Sequence, residues 1–122
     1  MISLAIPVLH VSDPLAAEDF YCNQLGFQKT FSYQPLGENN PCYFGIVRDG
    51  VRLHLSSFPG DGRTGNAVVL VVDNVDDLHR EFLSLGIAID LPPTDQDWDN
   101  REMYIEDPDH NSIRFTQWKN RD

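Results

Sequence analysis

Positive charge is scarce in this chain of 122 residues, where 9 Lys and Arg stand against 19 Asp and Glu for a formal net charge of −10. A nucleic-acid backbone is held by clustered cations. Neither a surplus nor a basic run is present, so nucleic-acid binding is not expected, and a neutral or cationic partner fits the balance better. Cysteine is nearly as rare: Cys22 and Cys42 are too few for a disulfide framework and lie in no metal-like CxxC spacing, so both are expected as free buried thiols. Long apolar runs are missing too. No stretch approaches the ~18 to 20 consecutive apolar residues of a membrane span, and the apolar start from Met1 to Leu9 has no basic region before it. A cytoplasmic protein without membrane contact is expected. With 41% hydrophobic and 23% charged residues, the composition is that of a globular domain long enough to bury a core.

What is present is an internal repeat. At an offset of 60 residues, Leu25-Gly26-Phe27 falls on Leu85-Gly86-Ile87, and Leu9 to Asp13 falls on Val69 to Asp73. The same offset lays Asp49 to Ser56 on Asp109 to Thr116. Three matches in one order at one offset indicate a duplicated half-chain. In the first half an apolar segment at 2–11 leads into Asp13-Pro14, an N-cap followed by a helix-starting proline. Ala17, Phe20, Tyr21 and Leu25 recur at helical spacing up to Gly26, which is placed to end the helix. In the second half an apolar strand at 67–72 precedes a helix carrying Val75, Leu78, Phe82 and Leu85, which ends at Gly86. Phe20, Leu25, Leu78, Phe82 and Leu85 are expected in the core. Three short strands follow each helix, at 27–34, 41–48 and 51–58, then at 87–91, 101–106 and 112–118. Residues 91–100, with Pro92-Pro93 and acidic or amide groups around Trp98, read as a loop. The unit is βαβββ, twice, an α+β arrangement with modules at about 1–60 and 66–122 of a single domain spanning 1–122.

Alternation along the strands separates two faces. In 51–57, Val51, Leu53 and Leu55 face the helix while Arg52, His54 and Ser56 face away. In 112–118, Ile113 and Phe115 face the helix while Ser112, Arg114, Thr116 and Trp118 face away. An antiparallel sheet can leave such a face to water. Here it is mixed with Phe31, Tyr33, Tyr43 and Phe58, and aromatic walls with a few polar groups are how small-molecule sites are built. Asp95, Asp97 and Asp99 flank Trp98, a pattern suited either to a cationic aromatic ligand or to a solvated acidic loop with its ring tucked back. His54 is a candidate base or a hydrogen-bonded wall residue. Arg114 either binds an anionic group of a ligand or pairs with an acid such as Glu102. His10, His79 and His110 are expected in structural or exposed roles.

The chain resembles the vicinal oxygen chelate superfamily, which includes glyoxalase I, extradiol dioxygenases and the bleomycin-resistance proteins. The resemblance runs through Pro7-Val8-Leu9 leading into Asp13, Phe20-Tyr21 to Leu25-Gly26-Phe27, Gly45 to Gly50, and Trp98 to Glu102. It closes on the turn Asp107-Pro108-Asp109-His110-Asn111. It implies a curved mixed sheet around a cleft with helices on the outer face. In the superfamily's metal enzymes, His or Glu comes from the first and last strand of each half. Those positions read Ile6, Asn66 or Ala67, His54 and Arg114 here, so one ligand-type residue remains where about three are needed. The resemblance is therefore to the bleomycin-resistance branch, which implies a homodimer sequestering a cationic glycopeptide drug in grooves formed by two chains. No catalytic residue, metal or cofactor is expected. Phe31, Tyr43 and Trp98 match the groove lining, with Tyr33 and Phe58 beside them, and His54, Asp97, Asp99 and Arg114 complete the expected ligand-binding set. Two departures fall on that groove: the segment 34–42 is longer, and Trp98-Asp99-Asn100-Arg101 carries an inserted residue relative to Trp-Gly-Arg. Two further readings stay open, a metal-dependent glyoxalase- or dioxygenase-type enzyme and a binding module for another small aromatic ligand.

Overall fold

The computed structural model describes residues 1–119 and divides into two compact units, Met1–Asn66 and Ala67–Asp122. In the first unit the elements are β1 (Val8–His10), α1 (Pro14–Glu18), β2 (Gln28–Tyr33), β3 (Tyr43–Arg48) and β4 (Val51–Ser56). The second contains β5 (Ala67–Val71), α2 (Val75–Ser84), β6 (Leu91–Asp95), β7 (Asn100–Glu106) and β8 (Ser112–Trp118). Each unit holds one four-stranded mixed sheet, and the strand orders, β1-β4-β3-β2 and β5-β8-β7-β6, repeat one another. The first strand of each sheet runs parallel to the last strand of its own unit, and the other pairings are antiparallel. The duplicated sequence thus folds into duplicated topology.

Both helices start as their sequences dictate. Asp13 accepts from the backbone N–H groups of Leu15 and Ala16 ahead of Pro14, and Asn74 accepts from that of Asp77. These contacts satisfy donors that a helix start leaves open. The first helix then widens into a π-helical turn over Asp19–Gln24 and closes at Gly26, whose φ of 79° favours glycine. Beneath the helices lie the apolar faces of the sheets. Tyr21, Leu25, Leu53 and Leu55 pack in the first unit, and Val75, Phe82, Met103, Ile105 and Ile113 in the second, all fully buried. Each such aliphatic or aromatic side chain contributes about 1.5–3 kcal/mol by leaving water.

Four expectations are corrected. The first strand covers only Val8–His10 of the apolar segment 2–11; Pro7 before it has no N–H to donate to the ladder, and Ile2 and Leu4 are exposed. The strand expected at 87–91 lies instead at Leu91–Asp95, in the segment read as a loop. It is an edge strand whose register shifts between Leu91 and Thr94, which accommodates Pro92-Pro93 where an interior strand could not. Leu78 is only half-buried and Leu85 is exposed rather than in the core; α2 ends at Ser84 and the chain turns so that Ile87 takes the buried place, its N–H bonded to the Phe82 carbonyl. Cys42 is buried but Cys22 only half-buried, and both are free.

Candidate functional site

In the first unit, strand alternation leaves Tyr43, Gly45, His54 and Ser56 on the sheet face turned away from the helix. Register sets them side by side: Tyr43 pairs with Ser56, and Gly45 with His54. Phe31 on β2 also pairs with Gly45 and lays its ring over that position. A Cβ added at Gly45 would come within 2.4 Å of the Phe31 ring, so glycine is what allows the aromatic to lie on the sheet. The Phe31 and Tyr43 rings stack with centroids 6.1 Å apart, and His54 meets Phe31 edge-on at 5.2 Å. The Tyr43 hydroxyl and His54 Nδ1 share a hydrogen bond of 2.8 Å. Desolvation, followed by the nearby Arg52 charge, holds the imidazole below its ordinary pKa, so it is neutral at physiological pH. Desolvation also raises the Tyr43 phenol, with the Asp61 charge second. Tyr33 stacks on Phe58 at 6.0 Å, the latter anchored by its N–H on Ser56 Oγ, whose own proton goes to Asp61. Phe31 and Tyr33 remain exposed.

In the second unit the equivalent face centres on a carboxylate. Glu102, Tyr104, Arg114 and Thr116 alternate outward on β7 and β8, Glu102 paired with Thr116 and Tyr104 with Arg114. Glu102 is 7% exposed and accepts from Tyr104 Oη at 2.7 Å, Trp98 Nε1 at 3.1 Å and Thr116 Oγ1 at 3.3 Å. Burial alone would push its pKa up. The hydrogen bonds from Tyr104, Trp98, Thr116 and Asn100 outweigh that and hold it below the ordinary value, so the group is a carboxylate. The Tyr104 phenol is raised in turn, first by its bond to Glu102. The Arg114 guanidinium lies over the Tyr104 ring, 4.8 Å from its centroid, with Nε donating to Ser112 Oγ at 3.2 Å.

Trp98 sits at the tip between β6 and β7, where Asp99 takes a φ of 63°. Its indole N–H is fixed on Glu102 while the residue stays 59% exposed. Asp97 and Asp99 flank it, both exposed. Asp95, further back on β6, is paired with Lys119 at 2.7 Å and Arg101 at 3.3 Å.

Of the expected site residues, Phe31, Tyr33, Tyr43, His54 and Phe58 gather in the first unit and Trp98, Asp97, Asp99 and Arg114 in the second. Of the two readings of Arg114, the ion pair with Glu102 is not formed; the Glu102 oxygens accept from neutral donors. Sequence reasoning missed Tyr104 and the central position of Glu102. Alternation in 100–106, opposite the apolar Met103 and Ile105, was the signal that places both on the Arg114 face. The residues present do not fit the divalent metal carried by the superfamily's enzymes. His54 pairs across the sheet with Val8 and Gly45, neither a ligand, and its Nδ1 is engaged by Tyr43. Among the described residues, no group of three or more His, Cys, Asp or Glu side chains is disposed to hold a metal ion.

A family model described as glyoxalase superfamily protein matches residues 1–122. The chain belongs to the glyoxalase superfamily. Within this superfamily, a bleomycin resistance protein of Geobacillus stearothermophilus is 29% identical over 134 residues, covering 93% of this chain and 95% of that protein. Two solved structures share the fold. One is a bleomycin-binding protein complexed with bleomycin, at 24% identity and a TM-score of 0.76 over 95% of this chain and 98% of that one. The other is a lactoylglutathione lyase from Agrobacterium tumefaciens, at 21% identity and a TM-score of 0.76 over 96% and 94%. The same glyoxalase-superfamily fold thus occurs in a drug-binding protein and in an enzyme, and the side chains on the polar faces must decide between such activities. Among the described residues, no helix is long and apolar enough to cross a membrane.

Proposed function

We propose that this protein is a non-enzymatic binder that sequesters bleomycin-like cationic glycopeptide drugs in the cytoplasm, in a groove formed by a homodimer. The observation that carries this reading is Trp98, an exposed ring fixed through its indole N–H on a buried carboxylate and set between Asp97 and Asp99. Such a ring offers a rigid stacking face with negative charge beside it, which suits a planar cationic group. The aromatic cluster of Phe31, Tyr33, Tyr43 and Phe58 supplies further stacking area. Relatives named for bleomycin resistance and bleomycin binding support the choice of drug class. The scattered ligand-type residues argue against the metal-dependent alternative.

Calorimetric titration with bleomycin tests the reading. The wild type is expected to bind, and Trp98→Ala to weaken binding by roughly five- to a hundred-fold, about 1–3 kcal/mol, with little loss of thermal stability. Absence of binding at high micromolar drug overturns sequestration. So does a Trp98→Ala variant that loses stability yet binds as tightly as the wild type.

A further inference from the structure

The cations of this acidic protein are mostly spoken for. Among the described residues, Lys29, Arg48, Arg80, Arg101 and Lys119 all make ion pairs with carboxylates. Arg52 and Arg63 are exposed to solvent. Arg114 differs from both sets: it is half-buried on the polar face of the second sheet, and none of the described carboxylates pairs with it. The adjacent acid cannot easily serve. Glu102 already accepts from Tyr104, Trp98 and Thr116, so most of its lone-pair sites are occupied and its charge is partly offset by three donor dipoles. Tyr104 links the two charges without joining them, its hydroxyl committed to Glu102 and its ring face carrying the guanidinium.

Stacking on Tyr104 and the Nε bond to Ser112 fix the plane of the guanidinium while leaving both terminal nitrogens to donate. A pre-oriented guanidinium fork matches a carboxylate or phosphate bidentately. Trp118 lies on the same sheet face as Arg114, four residues further along β8, and Trp98 is bonded to Glu102, the neighbour of Tyr104 on that face. We propose that Arg114 is an anion-binding point, receiving the carboxylate or phosphate of an aromatic ligand. The proposal rests on the reading of these faces as a small-molecule surface. It goes beyond the drug reading, because a cationic glycopeptide need not carry such an anionic group.

The probes are benzoate and phenyl phosphate, which separate the two anion types, with benzamidine as the cationic counterpart. Each is titrated into the wild type, Arg114→Gln and Arg114→Lys, with binding read by calorimetry. The Arg114 Nε–Hε resonance, assigned by its loss in Arg114→Lys, is followed in the wild type. At least one aryl anion is expected to bind and to shift that resonance. Arg114→Gln is expected to weaken the anion about ten-fold or more, Arg114→Lys to weaken it less, and neither to weaken benzamidine. Equal anion affinity in Arg114→Gln, or an unmoved Arg114 resonance in wild-type protein at tens of millimolar anion, overturns the proposal. The resonance keeps the test decisive even if Arg114→Gln fails to fold. A parallel bleomycin titration of the wild type separates the two claims: anion binding that depends on Arg114 without drug binding removes sequestration and keeps the anion point.

Discussion

At the scale of single residues, two histidines experience opposite surroundings. His54 is desolvated on the aromatic face and lies near Arg52, both of which disfavour its cation. His110 is exposed, bonded to Glu106 at 3.0 Å, with Asp107 and Asp109 close by, all of which favour its cation. In an NMR pH titration the His54 midpoint is expected below the ordinary 6.5 and the His110 midpoint above it. The linkage signs follow. His54 contributes stability that is present above pH 6.5 and lost as pH falls through its lowered folded value. His110 contributes stability that is present below pH 6.5 and lost as pH rises through its raised folded value. A His54 midpoint at or above 6.5 would mean that the imidazole is not desolvated. The inward direction of His54 was legible from alternation alone. Its bond to Tyr43 was not, since it depends on the β3–β4 register. Likewise, Glu102 was visible as an acid near Arg114, but its capture of the Trp98 indole depends on a turn that sequence patterning does not fix.

At the scale of elements, equivalent hairpins of the two units are closed by different chemistry. The β3–β4 turn uses Asp49 and Gly50, both at positive φ, as a two-residue hairpin of this twist requires. The β7–β8 turn is longer and is held by Asp107, which is 4% exposed. Asp107 Oδ1 accepts from the N–H groups of Asp109 at 2.9 Å and Asn111 at 2.8 Å, and Oδ2 from the Asn111 side-chain amide at 2.9 Å. Asp107→Ala removes both acceptor oxygens and with them all three hydrogen bonds, two of which come from the fully buried Asn111. The expected cost is about 2–4 kcal/mol, read as a lower urea midpoint with an unchanged slope. Asp107→Asn keeps one side-chain acceptor oxygen and should fall between the alanine variant and the wild type. The Asp-Pro-Asp-x-Asn motif was legible as a turn before its hydrogen bonds were known. The β6 strand was not, because its two prolines are permitted only by an edge position and a register shift. Periodicity reports which face a segment buries, whereas edge position is a property of the assembled sheet.

At the scale of the whole molecule, a net charge of −10 acts with opposite sign on the two associations proposed for it. Homodimerisation brings two chains of like charge together, so salt that shortens the Debye length from about 30 Å at 0.01 M to about 10 Å at 0.1 M relieves their repulsion. Capture of a cationic drug is assisted by the same field, and salt removes that assistance. Dimer affinity is therefore expected to rise with ionic strength while bleomycin affinity falls, the latter mainly through slower association. Light scattering at micromolar protein should give twice the chain mass of 13.9 kDa, with any monomer fraction largest at low salt. Stopped-flow titration of the drug should show the opposite trend. Replacing both Asp97 and Asp99 by Asn is expected to flatten the salt dependence of drug association, because these two exposed carboxylates lie beside Trp98. A 13.9 kDa species at every ionic strength would remove the homodimer, and with it the groove in which the second chain takes part. A drug association rate that does not respond to salt in the wild type would show that the acidic field steers nothing, and that Asp97 and Asp99 serve solubility alone.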